Sequence, residues 1–213
     1  MSPGFFRFAG AFIAASFALG AACLPAQAQV QPKTPDQKWV HPPSDVPKGQ
    51  RSDRTQNIDF LFGALKAAPD EESAKAVENR IWALWMRSGS DTADLLMARV
   101  RAATAGKDLD LALRLLNAII ELRPAYTEAW NRRATIYFLK KDYVDAMADL
   151  REVLVREPRH FGALAGVGTI LEEFGDDKRA LEAFRKAQEI YPRLGGVADQ
   201  VKTLVEKVEG RPI

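Results

Sequence analysis

Few residues of this chain have the type and spacing that catalysis or metal binding requires. The two histidines, His41 and His160, are far apart in the sequence, and neither has a second histidine or a spaced pair of carboxylates nearby. The adjacent acids Glu71-Glu72 and Glu172-Glu173 would point in different directions on a helix, so neither pair would act as an acid/base couple. The sequence also lacks the glycine-rich phosphate-binding loop that ends in Lys and Ser or Thr. We therefore expect no catalytic residue, no metal site and no cofactor, and interpret His160 as a polar contact between helices.

The charge pattern argues against nucleic-acid binding. The chain has 30 Lys and Arg residues against 28 Asp and Glu residues, and opposite signs alternate, as in Arg151-Glu152. Proteins that bind nucleic acid usually cluster their basic residues on one face. The alternation is typical of solvated helix surfaces.

A period of 34 residues organises most of the chain. Pro124, Pro158 and Pro192 are 34 residues apart, and three alanines keep the same interval: Ala112, Ala146 and Ala180. Apolar residues within each period recur at helical spacing in two stripes separated by a polar turn. This pattern predicts a stack of helical hairpins, each closed by a proline that cannot continue the helix.

Aspartates occur at one phase of every period. Asp108, Asp142 and Asp176 each follow the turn between the two stripes. An aspartate at that place can accept backbone N–H bonds and so cap the second helix, where its charge also suits the helix dipole. We predict that all three are N-caps.

Two segments carry a resemblance to a known family. The stretch Trp130-Asn131-Arg132-Arg133-Ala134-Thr135-Ile136-Tyr137-Phe138 and the stretch from Phe174 to Phe184 resemble tetratricopeptide (TPR) repeat motifs. The resemblance implies an all-α, right-handed α-solenoid that binds a protein or peptide. Its units would be 93–126, 127–160 and 161–194, of which the first is the poorest match.

The resemblance also implies a binding groove. In TPR stacks the first helix of each unit lines a concave face. On this chain the corresponding positions include Met97, Arg101, Asn131, Arg132, Thr135, Phe138, Leu139, Thr169 and Glu172. Some TPR proteins hold a C-terminal carboxylate there with Lys and Asn, but the matching positions in unit 161–194 are Gly162 and Gly166, so we expect no such clamp.

Helical segments flank the repeats. Residues 56–90 are interpreted as one more, degenerate, helical pair, with Glu71 and Glu72 in the first turn of its second helix. Residues 197–209 have the apolar spacing of a single helix that covers the last repeat. The helical domain is therefore expected to span 56–210.

The N-terminus has the pattern of an export signal. Arg7 precedes an apolar run, and Ala26-Gln27-Ala28 offers a small-x-small cleavage site, so residues 1–28 are interpreted as a signal peptide. Residues 29–55 are rich in proline and polar residues and are expected to form a disordered leader. Two alternatives remain open. The signal could stay uncleaved and anchor the protein in the membrane, or the protein could be lipidated at Cys23, the only cysteine.

Together these patterns predict a non-catalytic adaptor or scaffold in the periplasm of a bacterium, which binds a protein or peptide through the groove. The alternative is a structural subunit of an envelope assembly or secretion complex, tethered to the membrane through the uncleaved or lipidated N-terminus. In either case we expect membrane contact only through that terminus.

Overall fold

A computed structural model of the protein describes the backbone of residues 53–210 and the side chains of residues 58–210. The predicted signal peptide, most of the predicted leader and Cys23 lie outside the described residues. The described part is all-helical, which confirms the predicted fold class. Its helices are α1 (Asp53–Lys66), α2 (Glu71–Trp85), α3 (Asp91–Ala105), α4 (Leu109–Leu122), α5 (Thr127–Leu139), α6 (Tyr143–Arg156), α7 (Phe161–Glu173), α8 (Asp177–Ile190) and α9 (Val197–Val208).

Helices α3 to α8 form three successive hairpins. Each hairpin packs its first helix against its second, and the second helix packs against the first helix of the next hairpin. The repeated interval of 34 residues places Ala112, Ala146 and Ala180 at equivalent positions of the second helices, and all three are fully buried. Small side chains at this point let the paired helices approach closely. None of the helices in the described range has the length and apolar character needed to cross a bilayer.

The three predicted aspartate caps are confirmed. The Asp108 carboxylate accepts the Leu111 N–H at 2.9 Å, Asp142 accepts from Asp145 at 3.3 Å, and Asp176 accepts from Arg179 at 3.2 Å. Asp70 caps α2 in the same way by accepting the Ser73 N–H at 2.7 Å. Each cap satisfies a backbone donor that the first helical turn would otherwise leave without a partner.

The residue before each repeat cap has a left-handed backbone. Gly175 has φ +72°, and the equivalent Lys107 and Lys141 have φ +60° and +61°. This conformation is strained for a residue with a Cβ atom and costs roughly 1 kcal/mol more than for glycine.

We expect Lys141→Gly to raise the free energy of unfolding by about 0.5–1 kcal/mol, because it removes this strain. Urea denaturation of the two proteins measures the difference. The control is Lys178→Gly on the exposed side of α8, which should lower stability by about 0.5–1 kcal/mol. Equal losses in both variants would contradict the assignment of strain to Lys141.

The C-terminal helix and the N-terminal helix pair pack on the repeats in different ways. Helix α9 packs on α8 and buries Val197 and Leu204, so it covers the last hairpin. Helices α1 and α2 do form the expected pair, but α2 makes few contacts with α3 and does not continue the stack. Instead, α1 reaches α8, and the pair packs along the turns between the repeats.

Candidate functional site

The candidate site is the face of α3, α5 and α7 that forms the groove in TPR stacks. The structure leaves six of the nine predicted groove residues at least partly exposed and away from the N-terminal helix pair, and it buries or covers the other three. The six are Arg101, Thr135, Phe138, Leu139, Thr169 and Glu172. We call these six residues the open groove.

Two predicted groove residues belong to the interior instead. Met97 is 1 % exposed and packs in the core between α3 and α4, where Met86 at the end of α2 covers the same cluster. Asn131 is also buried, and its Nδ2 donates to Glu128 Oε1 at 3.0 Å. Neither side chain can contact a partner in this conformation, so the interpretation of these two as groove-lining residues is corrected.

The third residue, Arg132, lies under the end of α2. Its Nη2 is 3.5 Å from the Met86 sulfur, and its Nε is 3.4 Å from Glu128 Oε2, four residues earlier on the same helix. The Tyr126 hydroxyl donates to the Met86 carbonyl at 2.9 Å. Burial raises the pKa of Tyr126 above its ordinary value, and Glu128 raises it further, so the hydroxyl keeps the proton that it donates.

A buried polar pair lies at the centre of this covered region. Glu128 and His160 are both fully buried, and His160 Nε2 lies 3.1 Å from Glu128 Oε1. His160 Nδ1 caps α7 by accepting the Ala163 N–H at 3.0 Å. Because Nδ1 is an acceptor, the ring proton is assigned to Nε2, which donates it to Glu128.

This geometry confirms that His160 is a polar contact between helices. It links α5 to α7, and both of its ring nitrogens have partners within the protein. A fully buried imidazole with no free nitrogen has no position from which to take a proton from a substrate. Among residues 58–210, no group of three or more His, Cys, Asp or Glu side chains is placed to hold a metal ion.

Aromatic side chains of α2 cover the pair. Trp85 stacks on the His160 ring with centroids 4.1 Å apart and planes 9° apart. Trp82 meets the same ring edge-on at 5.5 Å and meets Phe161 edge-on at 5.6 Å. A methyl group built on Gly162 would lie 3.4 Å from Trp82, so α2 covers the start of α7 at a position that belongs to the groove face.

The other end of the N-terminal pair is fixed to the last repeat. The Tyr191 hydroxyl donates to Glu78 Oε2 at 3.1 Å, and Trp82 Nε1 donates to Glu78 Oε1 at 3.1 Å. Burial raises the pKa of Tyr191, and the neighbouring Glu78 carboxylate adds to the increase. Arg193 also donates to the Ala68 carbonyl at 3.0 Å. The α1–α2 pair therefore spans the turns of all three repeats.

The open groove has an apolar centre between opposite charges. Leu139 is 49 % exposed on α5, and Phe138 is half-buried with its ring 5.5 Å from that of Tyr143. Arg101 is exposed on α3, while Glu172 lies half-buried on α7. Burial raises the pKa of Glu172, and the nearby Asp177 adds to this effect.

The two threonines of the open groove use their hydroxyl protons within their own helices. Thr135 Oγ1 donates to the Asn131 carbonyl and Thr169 Oγ1 to the Ala165 carbonyl, both at 3.0 Å. Each oxygen still has lone pairs that can accept a hydrogen bond from a peptide N–H.

Comparison with known proteins agrees with this architecture. The tetratricopeptide repeat profile matches residues 97–157 and 145–194. A TPR repeat-containing protein of Rhizobium etli is 41 % identical over 155 residues, which cover 73 % of this chain and 76 % of that protein. The chain belongs to the tetratricopeptide repeat family. The human Superkiller complex protein 3 is 31 % identical over 88 residues, but these make up only 6 % of its length.

Solved TPR domains share the fold. The Sgt2 TPR domain from Aspergillus fumigatus superposes with a TM-score of 0.52 at 24 % identity, and the alignment covers 58 % of this chain and 87 % of that domain. The first TPR domain of Spaghetti (RPAP3), bound to the HSP90 peptide SRMEEVD, gives 0.53 at 15 % identity and covers 56 % and 95 %. At this level of identity the likeness concerns the fold. TPR domains are in general protein-interaction modules without catalytic activity.

Sequence reasoning missed Glu128, Glu78 and Tyr191. Glu128 stands in the first turn of α5, where an acid is expected for the helix dipole alone. Glu78 and Tyr191 are 113 residues apart, and no local pattern connects them. The one available signal was the Trp82 and Trp85 pair, which marks a helix with an unusually large aromatic face.

Proposed function

We propose that this protein is a non-catalytic adaptor that binds a segment of another protein through the open groove. The observation that carries the proposal is the division of the groove face. The N-terminal pair covers the first turns of α5 and α7, and the six residues of the open groove remain accessible. A peptide that lies there would meet an apolar centre at Phe138 and Leu139.

The charges of the open groove favour a peptide of matching polarity. Arg101 offers a fork of donors suited to a carboxylate, and Glu172 on the other side offers an acceptor for a basic group. A partner segment with an apolar residue between an acidic and a basic residue could pair its acid with Arg101 and its basic group with Glu172. Peptide N–H groups between them would find acceptors on Thr135 and Thr169.

The proposed partner differs in chemistry from the HSP90 peptide that RPAP3 binds. That peptide ends in Glu-Glu-Val-Asp, and the resemblance implies a clamp of Lys and Asn for such a terminal carboxylate. Here Arg132 is paired with Glu128, and Gly162 and Gly166 supply no donor side chain. We therefore propose an internal segment of a partner rather than an acidic C-terminus.

We further propose that the protein acts in the bacterial cell envelope. The support is the sequence of residues 1–28, with its basic residue, apolar run and Ala26-Gln27-Ala28 site. A membrane-tethered subunit is the second candidate, favoured by Gly20-Ala21-Ala22-Cys23, which resembles a lipoprotein processing site apart from Gly20. Intact-mass measurement of the purified protein separates the two, since a chain that begins at Gln29 carries neither anchor nor lipid.

Partner binding is tested with a groove variant that combines Arg101→Glu, Leu139→Glu and Glu172→Lys. All three positions are at least partly exposed, so we expect the fold to persist while partner recovery falls at least tenfold, because one charge is reversed at each end and the apolar centre is lost. The measurement is quantitative crosslinking and pull-down from envelope extracts.

The matched control for this variant combines Lys178→Glu, Val144→Glu and Glu189→Lys, which makes the same three charge changes on α6 and α8. It should recover partners like the wild type. Equal recovery of the same partners with the groove variant would refute the proposed site.

A further inference from the structure

Within residues 58–210, no helix stacks on the outer side of the first repeat. In the second and third repeats, the helix that precedes the hairpin covers Ala129 and Ile136 on α5, and Ala163 and Ile170 on α7, and all four are at most 2 % exposed. The equivalent residues of α3 are Leu95, which is 63 % exposed, and Ala102, which is also exposed. They are uncovered because α1 and α2 pack along the inter-repeat turns instead of stacking on α3.

Helix α4 has a second apolar stripe on the same end of the stack. Its first stripe packs in the core, with Ala112, Leu116 and Ile119 fully buried. In the second stripe, Leu111 and Leu115 are half-buried against the core of the first repeat, whereas Ala118 is exposed and Leu122 is 47 % exposed. The residues of the second stripe are Leu111, Leu115, Ala118 and Leu122, whereas the equivalent positions of α6 hold Asp145, Asp149, Glu152 and Arg156.

This contrast indicates a buried role for the second stripe. Solenoid ends normally carry a polar outer face, because an apolar one would be exposed to water. The other end of this stack follows that rule, since α9 covers α8. At the first repeat, apolar residues occupy the places where the second repeat is charged, so they are suited to contact another surface.

We propose that two copies of this chain associate through this end, by a two-fold symmetric contact of the uncovered surface with itself. We call this surface the end face, and it consists of Leu95, Ala98, Ala102, Leu111, Leu115, Ala118 and Leu122. Two adjacent helices of 15 and 14 residues form it. The end face measures roughly 20 Å in each direction, so the area that it can bury is at the small end of the range for specific interfaces. We therefore expect the dimer to dissociate on dilution.

The charges around the end face are self-complementary. Asp91 and Arg99 lie four residues before and four residues after Leu95 on the same side of α3. When a second α3 packs antiparallel about Leu95, each Asp91 faces the other copy's Arg99. On α4, Arg114 and Glu121 lie along one flank of the stripe and are also of opposite sign, so an antiparallel copy again brings acid to base.

The small residues of the end face fit the same arrangement. Ala98 and Ala102 follow Leu95 at helical spacing, so two copies can approach closely on either side of the central leucines. A second copy is thus the occupant for which the end face supplies both apolar contact and matching charge.

The test is sedimentation velocity of the full-length protein over about a hundredfold concentration range. The wild type is expected to shift from monomer to dimer as concentration rises. The double variant Leu95→Glu and Leu122→Glu should weaken dimerisation at least 100-fold, because the carboxylates introduced at position 95 would meet across the two-fold axis and the apolar contact of Leu122 would be lost. Both leucines are already exposed in the monomer, so the variant should keep its fold, as circular dichroism checks.

The matched control is Val144→Glu on α6, because Val144 is 63 % exposed, like Leu95, but lies outside the end face. This variant should dimerise like the wild type. A wild type that stays monomeric throughout, a Leu95 and Leu122 variant that still dimerises, or a Val144→Glu protein that dissociates would each overturn the proposal.

A charge exchange tests the antiparallel arrangement. Asp91→Arg alone should weaken the dimer, since it places two arginines together, and Arg99→Asp in the same chain should restore it. Failure of the double exchange to restore dimerisation would overturn the arrangement. Because the open groove is not altered in these variants, their result is independent of partner binding.

Discussion

Replacing Glu128 with alanine is expected to lower the free energy of unfolding by about 3–5 kcal/mol. The carboxylate is fully buried, and it accepts from His160 Nε2 and Asn131 Nδ2 while facing Arg132 Nε. Without it, the buried His160 N–H and the buried Asn131 amide lose their acceptor and cannot reach water. The remaining unpaired groups, rather than the lost attraction itself, account for most of the cost.

A matched control exists on the next helix. Glu152 also pairs with an arginine four residues later, Arg156, at 2.7 Å, but this pair lies at the surface. Glu152→Ala should therefore cost only about 0.5 kcal/mol. Urea denaturation of both variants gives the comparison, and similar losses for Glu128→Ala and Glu152→Ala would contradict the role assigned to the buried carboxylate.

The consequence of the Glu128 change is not confined to one repeat. Trp85 stacks on His160, and the same helix α2 reaches Tyr191 at the end of the last repeat through Glu78. A plain repeat array contacts only neighbouring units and unfolds by parts. Here the α1–α2 pair adds contacts between residues 40 to 125 positions apart, which join the three repeats into one unit.

The sequence predicted the repeats well because each hairpin is specified locally. The caps at Asp108, Asp142 and Asp176, the buried alanines and the closing prolines all lie within one period of the residues that they position. His160 was also correctly interpreted as an inter-helix contact, since it had no companion residues for chemistry. These local patterns were therefore sufficient to predict the fold class.

The path of the N-terminal pair could not be predicted in the same way. The apolar face of α2, with Ile81 and Trp85, is compatible both with stacking on α3 and with packing across the turns. The choice depends on pairings such as Glu78 with Tyr191 and Asp59 with Arg159, which are 113 and 100 residues apart. No periodicity encodes such pairings, and the family pattern assumes a continuous stack.

The path of the N-terminal pair also explains why three predicted groove residues are buried or covered. Asn131 and Arg132 have the spacing of groove residues, but both side chains contact the buried Glu128. Arg132 also lies against Met86 at the end of α2. Met97 has that spacing too, but Met86 packs on its cluster. Residues nearer the ends of the first helices, such as Phe138 and Glu172, lie beyond the reach of α2, and for them the partner-binding role stays a prediction.

Gly168→Ala is expected to destabilise the protein by about 1–3 kcal/mol, although alanine favours a helix more than glycine does. A Cβ atom built on Gly168 would lie 2.8 Å from the Cε1 and Cζ atoms of Phe184. Phe184 is itself buried, so its ring has little freedom to move away. Thermal or urea unfolding measures the loss.

The three repeats show why the clash is specific to this unit. The residues equivalent to Gly168 and Phe184 are Val100 with Leu116 in the first repeat, and Ala134 with Leu150 in the second. The largest partner thus occurs only where the facing residue has no side chain, as close packing requires.

The double variant Gly168→Ala and Phe184→Leu recreates the pair of the second repeat and should recover most of the stability lost by Gly168→Ala. Gly166→Ala, two residues away with ordinary 3.4 Å spacing to Leu150, should be neutral or stabilising by up to about 1 kcal/mol. If Gly166→Ala and Gly168→Ala changed stability equally, or if Phe184→Leu gave no recovery, the proposed complementarity between these two positions would be wrong.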